Sequence, residues 1–174
     1  WCPQKLHKRM SYLLAIPITL ILLLLQTTLG GQVRLLNGSA DLLLIWLAGW
    51  GLFSKDRSIW FWIIFAGLAV SYVSALPWYV TLIAYLAAGL LSRIIQSRLW
   101  NTPLMSLFLV TIVSSVILYG LSYIGLTLNG YSFIWKDTLV QVIIPSVFLN
   151  MLTGIIFYPL VRDTAQWAFR TEVE

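Results

Sequence analysis

The chain of 174 residues is 60% hydrophobic and only 10% charged, with a mean hydropathy of +0.88. A soluble domain carries roughly 25% charged residues, so this composition excludes a soluble enzyme, a disordered tail and a nucleic-acid module, and it points to a polytopic membrane protein. The net charge of +5 reads as a membrane-topology signal rather than a nucleic-acid one, and the single cysteine, Cys2, allows no internal disulfide and no cysteine metal site.

A basic segment, residues 1–9, carries Lys5, Lys8 and Arg9 and precedes the first apolar run, Met10–Leu29. At about 20 residues this run has span length and is not the short apolar region of a cleavable signal. It ends at Gly30-Gly31. The second run, Asp41–Phe53, follows the turn-like Asn37-Gly38-Ser39. As a helix it would rise only about 20 Å, so it either begins earlier, near Leu35, or falls short of a full crossing. The third run is Ile59–Leu76, and the fourth is Pro77–Ile95, with a proline suited to a first helical turn. The fifth is Pro103–Leu126 and the sixth Thr138–Val161. Each run other than the second is expected to cross a ~30 Å hydrocarbon core. Residues 163–174 form a short tail. The reading is an all-α membrane domain of about six transmembrane helices over residues 1–174.

The basic residues set the orientation. Six spans place the N-terminus, the 2–3 and 4–5 loops and the C-terminus on one side. That side holds Lys5, Lys8, Arg9, Lys55, Arg57, Arg93, Arg98, Arg162 and Arg170, nine of the eleven Lys and Arg; Arg34 and Lys136 are the other two. Such a bias predicts both termini in the cytoplasm, and five or seven spans would scramble it. The basic patches are explained by topology and by lipid headgroups.

Trp60, Trp62, Trp78, Trp100, Trp135 and Trp167 fall near run ends, where indoles favour the membrane interface. Trp46 and Trp50 are four apart in the second run and share a helix face, which suits packing or lipid contact more than a partner site. Small residues recur every fourth position at Gly67, Ser71 and Ala75 in the third run, and at Ala84, Ala88 and Ser92 in the fourth. These rows let backbones approach closely, and the short junction at Pro77 makes the two runs antiparallel neighbours. Docking of a partner helix is their alternative use. Asn150, near the middle of the sixth run between Pro145 and Gly154, is expected to hydrogen-bond across helices, with contact to a ligand or partner as the alternative. Pro145 and Pro159 each remove a helical hydrogen bond and predict a kink.

Chemistry is scarce. All six carboxylates, Asp41, Asp56, Asp137, Asp163, Glu172 and Glu174, lie at or beyond run ends, and the one histidine, His7, is in the basic segment. With no ionisable residue expected inside a span there is no proton relay and no acid–base pair, no metal cluster and no phosphate loop or nucleophile elbow. An enzyme is not expected, and neither is a cofactor. A self-contained channel or secondary transporter would want charged pore positions or inverted repeats, and neither is visible.

The order of residues resembles the rod shape-determining protein MreD family over nearly the whole chain. The stretches that carry the likeness are Asp41-Leu42-Leu43-Leu44 opening a short second run and Gly67-Leu68 in the third run. Ile83-Ala84-Tyr85-Leu86-Ala87-Ala88-Gly89-Leu90-Leu91-Ser92-Arg93 follows in the fourth. In the last run they are Ile144-Pro145-Ser146-Val147-Phe148-Leu149-Asn150 with Tyr158-Pro159-Leu160. Where that family commonly has an acidic residue after the glycine of the third span, this chain has Ser71. The resemblance implies a non-enzymatic subunit of the bacterial cell-elongation (rod) complex in the cytoplasmic membrane. It implies partnership with the bitopic MreC and, directly or through it, with the RodA glycosyltransferase and a class B penicillin-binding protein, and a connection to the MreB filament. It also implies a fold like the six-helix substrate-binding subunits of energy-coupling-factor vitamin transporters. Such a subunit is the second reading. It would need a polar pocket, for which Gln26, Arg34, Asn37, Asn129, Lys136, Asp137 and Gln141 are the candidates.

Overall fold

A computed structural model describes residues 4–29, 36–53, 59–74, 76–96 and 103–169, with side chains described from Ala15 to Thr28 in the first helix and up to Trp167 in the last. Arg34, Lys55, Arg57, Ala75, Arg98 and Trp100 lie outside the described residues, as do the side chains of Lys5, His7, Lys8 and Arg9. The described part is all-helical: α1 (Gln4–Leu29), α2 (Leu42–Phe53), α3 (Ile59–Val73), α4 (Trp78–Gln96), α5 (Pro103–Leu128), the single turn α6 (Trp135–Thr138), a π-helical turn (Leu139–Ile143) and α7 (Ile144–Phe169). The last three are continuous, so the chain makes six rods.

Three of these rods, Trp78–Gln96, Pro103–Leu128 and Trp135–Trp167, are long and apolar enough to cross a bilayer, which is compatible with a membrane protein. The third run departs from expectation. Its helix stops at Val73 after 15 residues, a rise of about 22 Å, because Leu76-Pro77 cannot continue it: proline biases its predecessor away from helical geometry. The first and last helices instead run on past their apolar stretches, from Gln4 and to Phe169. Pro17 and Pro159 both sit inside helices without ending them.

The rods are arranged around α2, which packs against α1, α3, α4, α5 and α7. Its sequence, LLLIWLAGWGLF, has no polar side chain except the indoles, and every residue from Leu42 to Leu52 is buried. A helix apolar on all sides is stable only when neighbours surround it. Gly49 and Gly51 make room: an added Cβ would meet the Val161 side chain of α7 at 2.7 Å and Ser92 Cβ of α4 at 2.6 Å.

Trp46 and Trp50 stack with ring centroids 6.2 Å apart, and Trp62 of α3 joins them at 6.5 and 4.8 Å. Trp62 is therefore not an interfacial residue: it is fully buried. Position near a helix end and exposure at the bundle surface are independent, and Trp62 lies on the face of α3 that meets α2.

Candidate functional site

Four of the buried polar side chains, Asp41, Ser115, Ser146 and Asn150, gather at one place, the N-terminus of α2. The segment that leads into it, residues 37–41, is extended and lies along the last rod. Its alternate amides donate to three successive acceptors there: Asn37 N to the Gln141 carbonyl at 3.1 Å, Ser39 N to Ser146 Oγ at 3.1 Å, and Asp41 N to Asn150 Oδ1 at 2.7 Å. The spacing fits. Four extended steps advance about 13 Å, and the nine helical residues from Gln141 to Asn150 rise about 13.5 Å.

Pro145 makes the first of these bonds available. In an α-helix the Gln141 carbonyl would receive the N–H of residue 145, but proline has none and its ring crowds that carbonyl. The helix answers with the π-helical turn at Leu139–Ile143, and the freed oxygen takes Asn37 N instead. The Asn37 side-chain amide adds a bond to Gln141 Oε1 at 3.3 Å. Gly38 lies flat against this turn. An added Cβ would stand 2.7 Å from Ser146 N and 2.8 Å from Pro145 Cβ, and the former is backbone that cannot yield.

The segment ends at Asp41, which is 7% exposed. Its side chain caps α2: Oδ1 accepts Leu44 N at 3.0 Å, while its carbonyl accepts the first helical bond, from Ile45 N, at 3.2 Å. Aspartate suits this position because a carboxylate satisfies an orphan amide and meets the positive end of the helix. The Tyr85 hydroxyl of α4 lies 2.9 Å from both carboxylate oxygens. Gln26 of α1 reaches the same point, accepting Leu43 N at 3.3 Å. Asn150, fully buried, turns its Nδ2 to Ser115 Oγ of α5 at 2.8 Å. Tyr119 of α5 donates to the Ser39 carbonyl at 2.8 Å. Five helices thus meet at one carboxylate and its shell.

This corrects the expectation that no ionisable group lies inside. Asp41 stands at a helix end in sequence, but Asn150 and Ser115 are near the middles of the last rod and of α5, so the end of α2 is at their mid-depth. The arrangement also resolves the length of the second run. The extended segment supplies about 13 Å and α2's twelve residues about 18 Å. Their sum matches a ~30 Å core. Irregular backbone at that depth is tolerated only inside protein, and here the amides of Asn37, Ser39 and Asp41 are bonded to the last rod.

The remaining candidates fall as follows. Ala84, Ala88 and Ser92 are fully buried on α4. At Gly67 an added Cβ would lie 3.2 Å from Leu82 Cδ1 and 3.4 Å from Leu82 Cα, so α3 and α4 are in close contact there. Ser71 is half-buried and bonds back to the Leu68 carbonyl of its own helix at 2.7 Å. Trp46 and Trp50 are core residues. Arg93 is half-buried near the end of α4, and Arg162 is exposed at the same end of the bundle. Of the polar-pocket candidates, Gln26, Asn37 and Gln141 belong to the network just described, while Asn129, which bonds to the Tyr79 hydroxyl at 3.3 Å, and the exposed Lys136 and Asp137 lie apart from it. Asp41, Tyr85, Ser115, Tyr119 and Ser146 were not anticipated as a group. The signal for the first was its position directly before an apolar run, the mark of an N-cap. Among the described residues no three His, Cys, Asp or Glu are grouped to hold a metal. No family model, no curated protein and no solved structure matches the chain.

Proposed function

We propose that this chain is a non-enzymatic integral membrane subunit of the bacterial cell-elongation machinery, of the MreD type, which acts with an MreC-like bitopic protein to organise peptidoglycan synthesis. One observation carries the reading. Asp41, Tyr85 and Asn150 come from three separate stretches whose order resembles that family, and they meet at a single hydrogen-bonded hub. A pattern spread over the chain has one structural purpose if its polar members hold the same bundle together. The hub supports an assembly role because its polar groups bond to one another: Asp41 to Tyr85 and Leu44, Asn150 to Asp41 and Ser115. In this reading the protein works as a rigid body that presents helix faces and short loops to partners. RodA and a class B penicillin-binding protein are then reached directly or through the bitopic subunit, and the MreB filament is contacted from the cytoplasmic side. The nine-to-two distribution of basic residues supports placement in the cytoplasmic membrane with both termini inside.

Purification in mild detergent from cells that co-express candidate partners tests this. Stable recovery of an MreC-like bitopic protein, lost on disruption of the hub by Asn150→Leu, is the expected result. Recovery with an ATPase module, or retention of a vitamin through purification, would replace it with the transporter reading.

A further inference from the structure

We infer that Asp41 is a proton-binding site in contact with the aqueous phase on the Asn37–Gln141 side of the bundle only. The inference does not depend on the assembly role. Its basis is the placement of a titratable carboxyl at the mid-depth of the rods, together with the hydrogen-bonded groups that lead from its residue to the Asn37–Gln141 side.

Toward the Asn37–Gln141 side polar groups occur at every level. Asn150 accepts from the Asp41 backbone N–H and donates to Ser115 Oγ. The next level holds the Tyr119 hydroxyl, the Ser39 backbone and Ser146 Oγ. The last holds Asn37 and Gln141, both exposed and bonded to each other. Along the segment Asp41 is buried, Ala40 and Ser39 are half-buried, Gly38 is buried against the last rod and Asn37 is exposed. Toward the opposite side the carboxylate is followed by α2 itself, buried and apolar, with the indoles of Trp46, Trp50 and Trp62 beside it; the buried Ser92 of α4 bonds back to the Ala88 carbonyl of its own helix at 2.8 Å, and Ser106 is buried near the far end of α5. A second apolar cluster, Ala48, Leu52, Ile95, Leu107 and Val110, closes the bundle below. On α5 the hydroxyls of Ser114 and Thr111 continue downward from Ser115, but they are buried without a hydrogen bond to the hub, so the chain of bonds breaks there.

The side chains that face the carboxyl are the Gln26 amide from α1 and the Tyr85 phenol from α4, while Tyr119 of α5 and Asn150 and Ser146 of the last rod bond to the backbone of the segment that ends at Asp41, and Ser115 of α5 bonds to Asn150. Only the two phenols among them titrate. The Tyr85 hydroxyl serves either state: it donates to the carboxylate and accepts from the protonated acid. Proton uptake therefore needs no rebuilding of the site.

Dicyclohexylcarbodiimide tests this in the intact protein. The reagent is apolar and partitions into the bilayer. It takes the proton of a carboxylic acid and adds the resulting carboxylate to its central carbon, and the adduct rearranges to a stable N-acylurea with no group lost. The full chain is reconstituted in vesicles sorted by orientation, and the adduct is mapped by mass spectrometry while the pH is varied on one side at a time. The expected result is an adduct on Asp41 whose rate falls at least tenfold as the medium on the Asn37–Gln141 side is made alkaline, and which ignores the opposite medium. Asp41→Asn removes the adduct. Tyr85→Phe, which keeps the backbone cap and the Asn150 bonds, extends labelling to more alkaline medium. The inference is overturned if Asp41 takes no adduct at any pH at which circular dichroism shows the native helix content. It is equally overturned if labelling follows the opposite medium, both media or neither.

Discussion

Asp41 joins two backbone roles to one side-chain role: its N–H, its carbonyl and its carboxylate are all bonded within the protein interior. Residues wired in this way are sensitive to loss of one partner, because the group left behind stays buried. Asn150→Leu strands the Asp41 N–H and leaves Ser115 Oγ without its donor. Each buried group left unpaired costs about 1–3 kcal/mol, so a marked drop in thermal midpoint in detergent is expected. An unchanged melt would mean that water replaces both bonds. Tyr85→Phe removes one hydroxyl that reaches both carboxylate oxygens. Hydrogen bonds to charged groups contribute about 1.5–3 kcal/mol, and a loss in that range by thermal or chemical denaturation is the expected outcome. The effect should not add to that of Asn150→Leu, because both variants act on the same carboxyl-bearing residue; a double mutant equal to the sum of the singles would argue against a single hub.

At the scale of elements, the short helix α2 with its extended approach and the π-helical turn before α7 explain each other. Pro145 takes an N–H away from one helix and gives a carbonyl to the segment that leads into the other. Pro145→Ala restores the helical donor, so the Gln141 carbonyl returns to its own helix. The Asn37 amide is then expected to exchange with deuterium faster than in the parent, by tenfold or more, while amides in α5 do not change. Gly38→Ala acts on the same junction from the other side, since its Cβ would meet the Ser146 backbone; overpacking of this kind costs about 1–3 kcal/mol. Part of this scale was legible in the sequence. The apolar runs located the helices, Gly67 lies at a close approach of α3 to α4, and Pro145 and Asn150 stood out. The hub was not legible, for a physical reason. Whether Asp41 is exposed depends on how deep the chain travels before α2 begins, and that depth comes from pairing with residues more than a hundred positions away. Local pattern also misplaced Trp62, because nearness to a helix end says nothing of which face is turned inward.

At the scale of the molecule, the open question in the sequence was whether a run as short as the second can count as a crossing, and the orientation of everything after it depends on the answer. If the second run stopped at half depth and turned back, Lys55 and Arg57 would share a side with Arg34, and the nine-to-two split of basic residues would dissolve. The extended segment removes that difficulty: it begins beside Gln141 at one end of the bundle, and α2 finishes at the other, where the Leu52 carbonyl accepts from Gln96 at 2.9 Å and Phe53 packs on Tyr158 with ring centroids 5.9 Å apart. The ends of the bundle are therefore distinguishable by residue. Leu36 and Tyr131 are exposed at one end, and Arg162 is exposed at the other. In a Cys2→Ser background, single cysteines introduced by Leu36→Cys, Tyr131→Cys and Arg162→Cys provide the test with a membrane-impermeant maleimide on intact bacterial cells. Leu36→Cys and Tyr131→Cys are expected to label from outside, and Arg162→Cys only after the membrane is opened, as the positive-inside bias requires. Labelling of Leu36→Cys and Tyr131→Cys from opposite sides would show that α2 with its extended approach is not a crossing, and labelling of Arg162→Cys from outside would invert the assignment of the termini.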